Sequence, residues 1–162
     1  MKYYLVLLTA LTILSFGCKT RSKIGASYQY KTECVGIELD GSETLRTWGQ
    51  GRNRLDAIEQ AKKNAVRDVL FKGIMDGSKE CNMKPLVPEV NAQEKYETYF
   101  NTFFADGGSY KNFVNSKDGS DLHPEVMKNR EKLGSQEEYR IIVRVLRSDL
   151  KQKLIQDGIL KQ

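Results

Sequence analysis

The sequence predicts an α+β domain in which a small antiparallel sheet carries helices packed on one face. Three observations predict it. Residues 28–39 and 43–48 read as a β-hairpin about an Asp-Gly step. Residues 53–73 repeat apolar side chains at helical spacing. Residues 139–146 alternate as a strand. Strands and helices therefore come in separate runs rather than in βαβ alternation, which is the pattern of an α+β fold.

Composition bounds the rest. The chain has 162 residues, 40% apolar and 29% charged, enough for one packed domain, and these values exclude a disordered chain or a multi-span membrane protein. Three Cys and one His are too few for a metal cage or a His-based triad, so no metal, no cofactor and no enzymatic activity are expected. The formal charge is only +5, and no Lys/Arg run has the density of a nucleic-acid patch, so nucleic acid is not an expected partner.

Residues 1–17 begin with Lys2, continue through an apolar stretch over 3–16 that is shorter than the roughly 20 residues a spanning helix needs, and end at Gly17. A Cys directly after such a leader, with Leu14 and Gly17 before it, resembles the lipobox of bacterial lipoproteins. Ser15 and Phe16 depart from its usual order. The resemblance implies a cleaved lipoprotein signal peptide over 1–17 and acylation of Cys18 as the mature N-terminus. Each buried methylene contributes about 0.8 kcal/mol, so two or more chains hold the protein stably on a membrane. Residues 18–27, with Lys19, Arg21 and Lys23, read as a flexible tether. Lys19 stands where the resemblance places the Asp of inner-membrane retention, which points to the outer membrane, lipid-anchored on its periplasmic side.

Cys34 and Cys81 then remain in a compartment that permits disulfides. Their pairing would close a loop of about 48 residues, for which chain entropy gives roughly 4 kcal/mol. Two separate buried thiols are the alternative. A Cys nucleophile has no support, because His123 sits in a polar loop with nothing linking it to either Cys.

The domain over 28–162 divides as follows. A three-residue hairpin loop puts Val35, Ile37, Leu39, Leu45 and Thr47 on one face, with Trp48 sharing the other with Arg46, Glu38 and Cys34. After Gly49-Gln50-Gly51, Asn53 caps a helix with Asp56 at the third position. Its stripe is Leu55, Ile58, Ala61, Ala65, Val66, Val69 and Gly73. Residues 78–90 form a loop. Asn91 and Glu94 open a second helix whose stripe is Tyr96, Tyr99, Phe100, Phe103 and Phe104, ended by Gly107-Gly108. A long loop covers about 115–136, with a helical turn around 125–132. Tyr139, Ile141, Val143 and Val145 form the apolar face of the last strand. Ser148 caps a helix over 149–157 that Gly158 ends.

Chemistry is sparse. Gly49 and Gly51 between strand and helix, with Arg52 and Arg54, can hold an anion or headgroup on backbone N–H groups, and Trp48 can join them in partner binding. The competing reading is a tight structural turn. Arg54 stands where a dinucleotide fingerprint needs glycine, and no Gly-Lys-Ser/Thr follows. Glu137 and Glu138 are neighbours in an extended segment, point to opposite faces and cannot share a site. The aromatic stripe reads as core, with a partner-binding surface as the alternative.

Cys18 after a leader, Thr47-Trp48-Gly49-Gln50-Gly51 ending a hairpin, and a helix over 56–66 with Ala57, Ala61 and Ala65 four apart together resemble the N-terminal domain of flagellar assembly protein T and the small membrane-associated lipoproteins grouped with it. The likeness covers residues 30–75. It implies a compact α+β module without catalytic residues that helps envelope structures assemble by binding protein. The expected function is that of an accessory or assembly subunit of a cell-envelope complex. The alternative is a ligand-binding lipoprotein that captures an anionic glycan or lipid fragment at Trp48, Arg52 and Arg54.

Overall fold

The computed structural model describes residues 32–116, 131–133 and 136–161. The leader, Cys18, the tether, His123 and most of the expected long loop lie outside them. In chain order the elements are β1 (Glu33–Ile37), β2 (Glu43–Gly51), α1 (Arg54–Phe71), β3 (Asp76–Gly77), α2 (Ala92–Lys95), α3 (Glu97–Phe103), a 3-10 turn (Ser109–Phe113), β4 (Val114–Ser116), β5 (Glu131–Leu133), β6 (Gln136–Val145) and α4 (Arg147–Gln156). The fold is α+β.

The sheet order is β3-β1-β2-β6-β4, and β5 also pairs with β6. It is mixed rather than wholly antiparallel as expected, because β3 lies parallel to β1. After α1 crosses the sheet the chain returns beside β1, where Ser78 N–H donates to Cys34 O at 2.9 Å. Two further strands come from the ends of the expected long loop. β4 starts at Val114, and Glu131 to Leu133 is strand where a helical turn was expected. Both add onto β6 as antiparallel edge pieces.

The hairpin forms, but in another register. Cys34 stands opposite Leu45 and Gly36 opposite Thr44, so the ladder bulges at Val35. A bulge inserts one residue and reverses the faces beyond it. Cys34 therefore turns inward with Leu45, both buried, while Val35, Ile37 and Leu39 are exposed. The inward turn brings Cys34 to Cys81 in the loop after β3, and the two form a disulfide with Cα atoms 5.9 Å apart.

α1 opens as its sequence requires, with the Asn53 side chain accepting from Asp56 N–H at 3.0 Å. It buries Ala57, Ile58, Ala61, Ala65, Val66, Val69 and Leu70 against β2 and β6. Leu55, expected in that stripe, is exposed and lines a cleft. Helix and strand are also tied by hydrogen bonds. Thr47 Oγ1 donates to Ala61 O at 3.3 Å, and Asn64 Nδ2 to Trp48 O at 2.9 Å.

The expected second helix is broken at Tyr96, whose backbone leaves the helical region, and Asn91 makes no capping bond. Thr98, Tyr99, Asn101 and Thr102 are weak helix formers, so ring packing sets the path. Phe100 and Phe103 are buried, as the core reading of the stripe requires. Phe100 meets Phe71 of α1 edge-on at 4.8 Å, and Phe103 stacks on Phe113 at 6.1 Å. α4 begins at Arg147, and Ser148 lies inside it instead of capping it. Its entry is fixed by Leu146 N–H donating to Phe113 O at 2.9 Å, and Leu150 and Leu154 are fully buried.

Candidate functional site

Side chains alternate along a strand, so the central β2–β6 pair has two faces. The helices take one: Leu45, Thr47, Tyr139, Ile141, Val143 and Val145 are buried beneath them. The other face carries Thr44, Arg46, Trp48 and Gln50 on β2, opposite Arg144, Ile142, Arg140 and Glu138 on β6. No described helix packs on it.

Trp48 is directly opposite Arg140, and Arg46 opposite Ile142. Directly paired residues have Cβ atoms about 4.5–5.5 Å apart, so indole, guanidinium and aliphatic side chain form one half-buried patch. Its other arginines are neutralised. Arg46 pairs with Glu33 at 3.0 Å, and Arg144 pairs with Asp40 and bonds the Ser42 hydroxyl. Hydrogen bonds from Ser42, helped by the Arg144 charge, hold the Asp40 carboxyl below its ordinary range. Among the described residues Arg140 has no ion-pair partner, which leaves one bare cation beside the indole. The sequence placed Trp48 with Arg46 correctly but put Cys34 there too; the bulge moves Cys34 to the helix side.

The glycine and arginine group does not gather around Trp48. Gly49 and Gly51 belong to β2 rather than to a turn, pairing with Tyr139 and Glu137, and lie beneath α1. A Cβ on Gly49 would stand 2.1 Å from Ala57 O, and one on Gly51 2.4 Å from Ala57 N, so both positions admit the helix backbone and nothing larger. Arg52 pairs with Asp56 at 3.4 Å, and Arg54, half-buried, opens α1.

Arg52 and Gly51 border a cleft of about 620 Å³. Its cations are matched one to one: Arg52 with Asp56, Lys63 with Asp106 at 2.8 Å, Lys111 with Glu59 at 2.8 Å. Burial alone would raise the Glu59 carboxyl, but bonds from Lys111 and the Tyr110 hydroxyl outweigh it and hold the group low. Burial and that carboxylate push the Tyr110 phenol up. With each cation countered, the cleft offers an anion no excess positive charge.

A third cluster has no signal in the sequence. Glu43, fully buried at the start of β2, accepts from the backbone N–H and the amide of Asn82, both at 3.0 Å, and lies 3.8 Å from Arg147 Nε. Arg147 also donates to Lys84 O at 2.8 Å. A charged residue after a turn reads as exposed.

Among the described residues no group of three or more His, Cys, Asp or Glu could hold a metal ion, and no helix is long and apolar enough to cross a membrane. Comparison of the chain with protein-family models, with curated proteins and with solved structures gives no match.

Proposed function

We propose that the chain is a non-enzymatic, lipid-anchored accessory or assembly subunit of an envelope complex, held by Cys18 on the periplasmic side of the outer membrane and docking a protein partner on the Trp48 face. The carrying observation is Trp48 beside Arg140, which has no ion-pair partner among the described residues, on a sheet face that no described helix covers. Trp and Arg supply most hot spots of protein interfaces, and a flat sheet surface suits a protein better than a small molecule. The leader, Cys18 and the resemblance at 30–75 support the anchor and the assembly role. Capture of an anionic glycan or lipid fragment is the weaker reading, since Arg46 and Arg144 are already paired with acids and Arg52 and Arg54 do not join Trp48.

The test is affinity purification from detergent-solubilised envelopes with palmitate labelling alongside. A stoichiometric protein partner is expected with the native chain and is lost on Trp48→Ala or Arg140→Glu, while labelling persists in both and disappears in Cys18→Ser. Retention of the partner by both face variants sinks the docking surface. Absence of label from the native chain sinks the anchor.

A further inference from the structure

α1 and α3 touch through Phe71 and Phe100, and alongside this contact a groove of about 500 Å³ runs between the helices. That volume is in the range of sites for small ligands. Its walls follow from helical spacing. Arg67 and Phe71 are one turn apart on α1, Glu97 and Asn101 are one turn apart on α3, Phe104 caps the end of α3, and Glu94 of α2 lies beyond them. The guanidinium of Arg67 sits 5.1 Å from the centre of the Phe104 ring, which fixes it at one end of an aromatic floor.

The charges are opposite and unspent. Among the described residues neither Arg67 nor Glu94 nor Glu97 makes an ion pair, although all three border the same groove. Lys63 and Asp106, and Lys95 and Glu89, are by contrast paired with each other. A ligand that satisfies this groove therefore carries an anion for Arg67, a cation for the two glutamates and apolar surface for the rings. The Asn101 amide, which both donates and accepts, suits a peptide unit between those ends.

We infer that this groove binds a short peptide with both termini free, its carboxylate at Arg67, its ammonium at Glu94 and Glu97, and an apolar side chain on Phe71 and Phe100. None of these residues belongs to the Trp48 face, so the two readings stand or fall separately.

The probe is the tripeptide Ala-Phe-Ala, titrated calorimetrically into the full chain in detergent, against its N-acetylated and C-amidated forms. The free peptide binds, and each cap weakens binding at least tenfold. Arg67→Gln removes the penalty for amidation and keeps that for acetylation, Arg67→Lys restores it in part, and Glu94→Gln with Glu97→Gln does the converse. All of these side chains are exposed, and an unchanged far-ultraviolet circular dichroism spectrum accompanies each variant. Equal binding of free and capped peptides to the native chain, or no heat with any of them, overturns the proposal.

Discussion

Glu43 and Arg147 come from opposite ends of the domain and meet where water is excluded. One Glu43 oxygen takes two bonds from Asn82 and faces Arg147; the other oxygen, and one guanidinium nitrogen, have no hydrogen-bond partner among the described residues. Burial lowers the Arg147 pKa and the Glu43 charge opposes that shift. A buried pair of this kind contributes little net stability, but removal of one member strands the other. Arg147→Met alone should cost about 3–5 kcal/mol, while Arg147→Met combined with Glu43→Leu should lie much closer to the native value. Urea unfolding of the two variants measures the difference. If the double variant is no better than the single one, the cost belongs to packing around Arg147 and not to a stranded carboxylate.

At the scale of elements, β2 and α1 meet backbone to backbone. Gly49 lies under the backbone of Ala57 and Ala61, and any side chain there must push the helix from the sheet. Gly49→Ala should therefore cost about 3 kcal/mol or more, the upper end of what overpacking does. Gly158 is a control of different origin: nothing lies within 4 Å of its added Cβ, but φ is +73°. Gly158→Ala should cost only about 1–2 kcal/mol, the left-handed penalty alone. Equal losses in chemical denaturation would mean that close helix approach is not what Gly49 serves. The disulfide acts on the same scale. It ties the loop after β3 to β1, and Asn82, the next residue along, bonds Glu43, so one short segment is held twice.

Across the whole molecule, stability should depend on pH through carboxyls shifted in opposite directions. Burial raises Asp68 above its ordinary value, against a bond from Thr32 and the charges of Lys72 and Arg67. Between the unfolded and the raised folded value the native state binds more protons than the unfolded one, so this contribution falls as pH rises through that window. Bonds from Lys153 and Tyr99 lower Asp157, and Glu59 is lowered as described; their contributions are present above the unfolded values and are lost as pH falls through the folded ones. Asp68→Asn keeps an acceptor for Thr32 and removes the buried charge. It should raise Tm at pH 7, with the gain vanishing by about pH 3, where both side chains are neutral. Thermal scans at the two pH values check the sign, and a lower Tm for the variant at pH 7 contradicts the assignment.

Sequence alone determined the elements whose signals are local and long. Asn53 with Asp56 and the alanines four apart mark α1, and four alternating apolar residues mark β6, because periodicity over two or more turns or several strand positions reports one buried face. β3, β4 and β5 are two or three residues each and too short to show any period. Tertiary structure decided the rest. The bulge at Val35 reverses the faces of β1, and that reversal selected the disulfide over two free thiols and parted Cys34 from Trp48. It also made Gly49 and Gly51 a bed for a helix rather than a turn, set Trp48 beside Arg140, and buried Glu43 against Arg147. The physical reason is common to all of these: a single inserted residue or a partner many positions away changes which side of a strand meets water, and no local pattern records either.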